Sequence, residues 1–474
     1  MIDIPNKNSM YDPRFEKDSC GFGLIAQMDD KPSHELIKTA IKALTRLTHR
    51  GAVAADGKTG DGCGLLIKKP DSFFQLIAKK ENFDLCKLYA VGMVFLNPEE
   101  KIAKYQEKYF RQKIKEEGLH FVGWRLVPIN SKACGEAALQ TLPCPKQIFI
   151  NAPNGMDEKT FEAKLFLIRR RVEIHFSKKD ENFYVPSLSS RVISYKGLIM
   201  PEYLPTFYED LNDETLASSI CVFHQRFSTN TLPQWDLAQP FRFLAHNGEI
   251  NTVCGNRNWA EARASTFHTN HIPGLSELRP LVSMAGSDSC SLDNMLEILS
   301  IGGMDLFRAM KLLIPPAWKN NKNLDAETRA FYEYNSMHME PWDGPAGIVF
   351  TDGRYAACVM DRNGLRPARY VITDDRCITL ASEIGVYDYL PKNVVAKGRL
   401  GPGEMVAIDT KTGKLLMSDD IDQELKSRQN YVGWMEKAIH IDSLQDDDIN
   451  KDPIDKQTLR QYEKMFDITF EERD

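Results

Sequence analysis

The chain has 474 residues, of which 42% are hydrophobic and 27% charged, as in globular proteins with two or three average domains or one large, elaborated domain. Its net charge is −6 and its lysines and arginines form no cluster, so electrostatics give no support for binding nucleic acid or an anionic membrane. No segment approaches the roughly 18 consecutive apolar residues of a membrane helix, and residues 1–19 lack the apolar centre of a signal peptide.

Ten cysteines are scattered along the chain without a C-x-x-C pair. This pattern predicts reduced thiols and a cytoplasmic protein. Most of them are expected to be small buried hydrophobic residues. Cys20, in Asp-Ser-Cys-Gly-Phe-Gly, has a different context and is a candidate nucleophile.

The first predicted elements are a strand over Gly21–Gln27, directly after Cys20, and a helix capped by Ser33 that ends before Gly51. Runs of β-branched and aromatic residues predict further strands, and periodic apolar residues predict helices. The predicted strands cover residues 147–152, 193–196, 220–224 and 347–351, and the predicted helical stretches cover residues 161–176 and 292–313.

Three consecutive hairpins are predicted in the last third of the chain, which favours antiparallel sheets over a parallel one. The strongest signal is Asp352-Gly353 between two β-rich runs, because Asp-Gly supplies the positive φ angles of a tight turn. The predicted pairs are 348–351 with 355–360, 369–373 with 377–381, and 404–409 with 411–417.

After about residue 418 the chain becomes acidic and poor in apolar residues, as expected of a connector. It ends within a charged helical pattern, Glu471-Glu-Arg-Asp, without a capping signal. We therefore expect a fragment boundary there.

Hydrolysis of a carboxamide requires a strong nucleophile, a proton shuttle and donors for the developing oxyanion. A cysteine thiol is a strong nucleophile near neutral pH, but it needs a base. If residues 1–19 were removed, Cys20 would carry a free α-amine with a pKa of about 7.7 to 8.0, which suits proton transfer at physiological pH.

The remaining parts of a glutamine site occur downstream. Asn247 and Gly248 can donate to the oxyanion, Arg226 can bind the substrate carboxylate, and Asp288 can accept hydrogen bonds from its ammonium group.

Taken singly, each motif has an ordinary structural interpretation. His-Asn-Gly is typical of a turn, Asp288 of the N-cap of a helix opening near residue 291, and Arg226 of a surface ion pair. His49 and Arg50 close a helix, where positive charge is favourable. His268 and His271 have a chelating spacing, but they lie in a predicted loop without further ligands, so no metal site is predicted.

Longer segments resemble the glutaminase domain of the glutamate synthase large subunit, from about residue 11 to the end. The segments that carry the resemblance are Cys20-Gly-Phe-Gly-Leu-Ile-Ala, His49-Arg-Gly-Ala, Asp56-Gly-Lys-Thr-Gly-Asp-Gly-Cys-Gly, His224-Gln-Arg-Phe-Ser-Thr-Asn-Thr, Phe241-Arg-Phe-Leu-Ala-His-Asn-Gly-Glu-Ile-Asn, Gly286-Ser-Asp-Ser, Met337-His-Met-Glu-Pro-Trp-Asp-Gly-Pro-Ala and Asp361-Arg-Asn-Gly-Leu-Arg-Pro-Ala-Arg-Tyr.

The resemblance implies an α+β fold of the N-terminal nucleophile (Ntn) hydrolase type, a four-layer αββα sandwich with two antiparallel sheets. It implies a prosegment at residues 1–19, a class II glutamine amidotransferase domain at 20–420, and a connector into a central domain at 421–474. The implied roles are nucleophile for Cys20, oxyanion donors for Asn247 and Gly248, substrate carboxylate and amine ligands for Arg226 and Asp288, a place beside the nucleophile for Arg50, and the substrate pocket for Thr229.

The resemblance also implies that ammonia passes to a synthase site that aminates 2-oxoglutarate, built from domains this chain does not contain. FMN, an iron–sulfur cluster and a small electron-donating subunit or ferredoxin belong to that part, and no cofactor is expected in this chain. Two alternatives stay open: an amidotransferase that serves another acceptor, and a catalytically silent assembly module in which the prosegment is retained.

Overall fold

The computed structural model describes residues 20–177, 179–226, 233–438, 454–469 and 472. The chain divides into two compact units between Tyr431 and Val432. The strands are β1 (Gly21–Gln27), β2 (Thr59–Lys68), β3 (Tyr89–Leu96), β4 (His120–Leu126), β5 (Cys144–Asn151), β6 (Tyr184–Ser189), β7 (Val192–Ile199), β8 (Ile220–Gln225), β9 (Leu244–Gly248), β10 (Ala346–Thr351), β11 (Tyr355–Met360), β12 (Arg369–Thr373), β13 (Cys377–Ala381), β14 (Val394–Arg399), β15 (Met405–Asp409) and β16 (Lys414–Leu416).

The helices are α1 (His34–Arg46), α2 (Asp71–Lys80), α3 (Glu100–Glu116), α4 (Glu136–Gln140), α5 (Glu158–Phe176), α6 (Leu204–Phe207), α7 (Val253–Arg263), α8 (Asp288–Ile301), α9 (Leu306–Leu313), α10 (Ala326–Ser336), α11 (Ser418–Ser427), α12 (Tyr431–Met435) and α13 (Lys456–Met465). Within the described ranges, none of these helices is both long and apolar enough to cross a membrane.

The largest sheet has seven strands in the order β14-β12-β13-β1-β8-β2-β7. Strand β1 lies in its interior, antiparallel to β8 on one side and to β13 on the other. Its side chains alternate between the two faces, so that Ile25 packs with α1 while Phe22 and Leu24 pack into the opposite core. The residue that precedes β1 is therefore held at one end of a fully paired central strand.

A five-stranded sheet, in the order β16-β15-β11-β10-β9, packs face to face on the first. The apolar layer between the sheets includes Phe22 and Leu24 from β1 and Val349, Cys358 and Ile408 from the second sheet. Helix α1 covers the outer face of the seven-stranded sheet. Helices α8 and α9 lie on the second sheet, where the Phe307 and Tyr355 rings meet with centroids 4.7 Å apart. The predicted α+β fold and the αββα order of layers are confirmed.

A third antiparallel sheet, β4-β5-β3-β6, adds to this sandwich. One face packs against α3 and α5 through residues that include Phe110, Ile148 and Leu165. The other face joins the core beneath α1 through Val91 and Phe149. The sequence predicted part of β5 and α5 without indicating that they form a separate sheet with its own helical layer.

The three predicted hairpins are present as β10–β11, β12–β13 and β15–β16. Gly353 in the first turn and Gly413 in the third have φ angles of 87° and 68°, as the turn chemistry requires. The helical stretch predicted over residues 292–313 was wrong in its extent. It is two helices, α8 and α9, separated where Gly303 adopts a φ of 101°.

The predicted connector also contains helix. Helix α11 packs within the first unit, since Lys311 and Tyr332 both contact Asp422, at 3.1 and 3.0 Å. Helix α13, in the second unit, is capped by Asp455, whose carboxylate accepts from the Gln457 and Thr458 backbone amides. The boundary at residue 420 and the prosegment at 1–19 stay predictions.

Candidate active site

Cys20 lies immediately before β1, at the point where the neighbouring strand β8 ends. Gly21 is paired with Gln225, so Cys20 and Arg226 are the next residues along the two strands. The Cys20 side chain is buried, with 8% of the residue exposed. The sheet register thus brings the predicted nucleophile next to the arginine that is predicted to bind the substrate carboxylate, although the two residues are about 200 positions apart in sequence.

Arg226 is held by contacts of both its backbone and its side chain. It has a φ of 88°, and its amide donates to the Gly62 carbonyl at 2.7 Å. Its Nε lies 3.3 Å from Asp61 Oδ2, which also accepts from the Ala52 amide at 3.0 Å. Asp61 therefore fixes the orientation of the guanidinium, and sequence reasoning did not assign it this role although it lies in the quoted Asp-Gly-Lys-Thr-Gly-Asp segment.

Asn247 and Gly248 end β9, where they are paired with Gly347 and Ala346 of β10. Gly248 has a φ of 144°, and a β-carbon there would lie 1.7 Å from the Pro345 carbonyl oxygen. Only glycine fits this conformation and this close approach. On the paired strand, a β-carbon at Gly347 would contact the Phe22 ring at 3.1 Å, so Asn247 lies near the start of β1.

Asp288 is the first residue of α8, while the N-cap is Ser287, whose hydroxyl accepts from the Cys290 amide. The prediction that this helix opens near residue 291 was wrong by one turn. The Asp288 carboxylate accepts from the Ile250 and Ser289 amides, each at 2.8 Å. His246 Nδ1 lies 3.7 Å from Asp288 Oδ2 and 2.9 Å from Ser289 Oγ. A carboxylate in the first turn is stabilised by the helix dipole.

Burial raises the pKa of the Cys20 thiol to about 12, opposed by the guanidinium of Arg226 and reinforced by Asp61. Arg366 lowers this pKa and Asp288 raises it, so these charged groups all act on the thiol. Arg366 is a further residue that sequence reasoning missed. A β-carbon added at Gly347 would lie 3.5 Å from the β-carbon of Arg366. Arg366 therefore lies against the paired strands β9 and β10. The thiol is thus protonated at neutral pH and requires a base to react.

Arg50 lies at the same end of β1 through its ion pair with Glu383. His49 Nε2 also contacts Glu383, at 3.0 Å. Ser382, the residue before Glu383, forms hydrogen bonds with the backbone amide and carbonyl of Phe22. Glu383 therefore lies beside the first residue of β1. The described structure therefore brings Arg50 towards Cys20 through a carboxylate that the sequence did not single out.

His224 has a structural position although it belongs to a quoted motif. Burial lowers its pKa to about 3, so the ring is neutral. It contacts the Arg226 carbonyl through Nδ1 at 2.6 Å and the His246 carbonyl through Nε2 at 3.1 Å. A neutral imidazole has one N–H group, so it donates a hydrogen bond to only one of these two carbonyl oxygens. Thr229, predicted to line the pocket, lies outside the described residues.

Among the residues that the structure describes, no group of three or more His, Cys, Asp or Glu side chains could hold a metal ion. The arrangement offers a thiol, the guanidinium groups of Arg226, Arg366 and Arg50, a side-chain amide beside a glycine, and carboxylates that include Asp288. Such groups can bind an amino acid and hydrolyse its side-chain amide.

Comparison with known proteins agrees with this inventory. Residues 20–434 match the family of class-II glutamine amidotransferases. The chain is 40% identical over 476 residues to a glutamate synthase [NADPH] large chain of Bacillus subtilis, covering 99% of this chain and 31% of that protein. It is 38% identical to a glutamate synthase [NADH] of Schizosaccharomyces pombe, covering 95% of this chain and 22% of that protein. A ferredoxin-dependent glutamate synthase of Pyropia yezoensis is 39% identical, with 90% and 28% covered. The chain thus spans less than a third of the length of each of these relatives.

Proposed function

The chain belongs to the class-II glutamine amidotransferases, and from that premise we propose that it hydrolyses L-glutamine to glutamate and ammonia at Cys20. The observation that carries the proposal is the convergence of Cys20, Arg226, Asn247-Gly248 and Asp288 at one end of the two packed sheets. These groups come from segments that are distant in sequence.

Substrate binding is assigned to Arg226 and Asp288. The guanidinium would bind the glutamine α-carboxylate through paired hydrogen bonds, while Asp288 would accept from the α-ammonium group. The Asp61 contact that orients Arg226 supports its role. Asp288 keeps its carboxylate in place with two backbone amides, which supports a preorganised ligand. Thr229 remains a proposed pocket residue.

The chemistry proceeds by acyl transfer to the thiol. Removal of residues 1–19 would free the α-amine of Cys20, and this amine would accept the thiol proton. The thiolate then attacks the side-chain carbonyl carbon, and the oxyanion receives hydrogen bonds from the Asn247 side chain and the Gly248 amide. As the tetrahedral intermediate collapses, the leaving nitrogen takes the proton back from the α-ammonium group and departs as ammonia. Water then hydrolyses the thioester, which gives glutamate and regenerates the Cys20 thiol. The family match that begins at residue 20 supports this processing site.

We further propose that the ammonia is used to make glutamate from 2-oxoglutarate, because the relatives described above are named glutamate synthases. In that case residues 421–474 would lead into a central domain. FMN, an iron–sulfur cluster and an electron donor would serve the synthase site, and none of them is assigned to residues of this chain.

Replacement of the nucleophile tests the proposed hydrolysis. We expect Cys20→Ser and Cys20→Ala to reduce ammonia release from glutamine to background, since neither side chain can form the thioester. Cys254→Ala is the matched control, because Cys254 is an exposed thiol on α7 and its loss should leave the rate unchanged. Thermal unfolding of each variant checks that the fold is retained. Ammonia release by Cys20→Ala at the wild-type rate would refute the assignment.

The role of the α-amine needs a separate measurement. N-terminal sequencing and intact mass of the active protein should give Cys20 as the first residue. An active protein that retains residues 1–19 would exclude the amine as the base, while an inactive one would favour an assembly role.

A further inference from the structure

The edge of the seven-stranded sheet formed by β12, β13 and β14 carries an open groove. Its volume is about 440 Å³. It lies on the same face of the sheet as α1, which covers the neighbouring central strands. Its walls are the sheet face and the chain that follows β13. Its lining includes Arg369, Glu383, Ile384, Lys397 and Arg399.

The sheet face of this groove is basic. Arg369 on β12 lies directly opposite Arg399 on β14, and Lys397 is opposite Val371, two residues along the same face. All three cations are exposed, and in the described part of the chain no carboxylate lies within ion-pairing distance of them. Like charges directly opposite each other destabilise a sheet. A negatively charged group lying between Arg369 and Arg399 would relieve this repulsion.

The same edge exposes apolar side chains. Ile384, in the groove wall, is 78% exposed, and Val395, two residues before Lys397, is 68% exposed. Strand β14 is an outer strand of its sheet, so its free edge can pair with an added strand. An extended polypeptide matches this combination of a free strand edge, apolar side chains and regularly spaced cations.

We propose that this groove binds an extended, acidic segment of a partner polypeptide, with its carboxylates on Arg369 and Arg399 and an apolar side chain against Ile384. Successive side chains of an extended segment point in opposite directions, so one set can face the cations on the sheet and the other can face Ile384 in the wall. A long polyanion such as nucleic acid is disfavoured by the net charge of −6.

One end of the groove reaches the site described above. Glu383 lines the groove and pairs with Arg50 and His49 beside the first residue of β1. A partner held in the groove would therefore lie next to the candidate active site. The proposal itself concerns binding alone and does not depend on glutamine hydrolysis.

Fluorescence anisotropy of the full chain with two labelled peptides tests the proposal. The first peptide alternates Glu with Val, and the second replaces every Glu by Gln. We expect the Glu peptide to bind, its affinity to fall as salt rises, and the Gln peptide to bind at least about tenfold more weakly.

Two double variants distinguish this groove from general attraction to lysines and arginines. Arg369→Gln with Arg399→Gln should weaken binding of the Glu peptide at least about tenfold. Lys411→Gln with Lys414→Gln removes two exposed charges, one in the turn before β16 and one on β16, in the other sheet, and should leave binding of the Glu peptide unchanged. Ile384→Ser should weaken binding about threefold.

The proposal is overturned if the Glu peptide does not bind, if the Gln peptide binds equally well, or if the Arg369 and Arg399 replacements have no effect. The replaced side chains are exposed, so no loss of thermal stability is expected, and thermal unfolding of each variant is measured alongside. In those outcomes the basic residues only protect the sheet edge from association.

Discussion

Asp288 makes two structural contacts in addition to the substrate contact that we propose for it. As the first residue of α8 it stabilises the helix, and through Ile250 it also fixes the chain that follows β9. Ser287 supplies the cap itself. The neighbouring residues therefore allow the helix contribution and the proposed substrate contact to be measured apart.

We expect Asp288→Asn to raise the KM for glutamine by roughly 10- to 100-fold, because the amide loses a charge-assisted hydrogen bond worth about 1.5–3 kcal/mol. The Asn side-chain oxygen can still accept from the Ile250 amide. Steady-state kinetics with glutamine measure the change.

Ser287→Ala is the matched control. Loss of the cap should reduce the free energy of unfolding by about 1 kcal/mol and leave KM unaltered. If Asp288→Asn lowers kcat alone, Asp288 positions other groups and does not bind the substrate.

At this scale the sequence predicted the residues that occur in contiguous motifs. Cys20, Arg226, Asn247, Gly248 and Asp288 were proposed as site residues in this way, and the structure brings them to one end of the sheets. The sequence did not indicate Asp61, Glu383 and Arg366, because their roles depend on partners that are distant in sequence.

At the scale of elements, local turn chemistry made the three hairpins predictable, whereas pairing between distant segments was not. The four-stranded sheet assembles strands separated by helices α3 and α5, and no local signal specifies that order. A buried ion network then connects α5, α8 and the chain leading into β9. Glu173 pairs with Arg169 and Arg242, and Arg169 also pairs with Glu297, each contact at 2.5 Å.

We expect Glu173→Gln to reduce the free energy of unfolding by about 3–5 kcal/mol. Burial raises the pKa of this carboxyl, but Arg169, Arg242 and Arg170 lower it by more, so that the net shift is downward. Neutralisation of Glu173 removes a buried charge that these arginines share, and leaves them only partly compensated by Glu297. Urea unfolding provides the measurement.

Glu100→Gln, in the exposed pair with Lys104, should leave the free energy of unfolding nearly unchanged, because solvent screens this pair. Equal losses in the two variants would show that burial of the network does not determine its contribution.

For the whole molecule, Lys196 on β7 links stability to pH. Burial lowers its pKa to about 7, although its ammonium lies near the Tyr184 and Phe241 rings. Its Nζ donates to the Asp236 and Ala238 carbonyls, both at 2.7 Å, and a neutral amine can supply both hydrogen bonds. The native state therefore accommodates the neutral form.

Between about pH 7 and pH 10.5 the unfolded chain binds a proton at Lys196 that the native protein does not. Stability at this residue consequently rises with pH across that window. We expect the free energy of unfolding of the wild type, relative to Lys196→Met, to increase from pH 7 to about pH 9.5. Urea unfolding at several pH values measures it, and a constant difference would contradict the burial of the amine.

The position of β1 has a consequence for the order of folding. Phe22 is hydrogen-bonded to Ser382, 360 residues later, next to the pairing of β1 with β13. On its other side β1 is paired with β8, which begins at Ile220. Ribosomal synthesis produces β1 long before β13, and pairings of large sequence separation form slowly. Strand β1 therefore lacks its two partner strands until β8 and then β13 have been made. The end of β1 next to Cys20 is consequently expected to take its final form only after β13 has been synthesised.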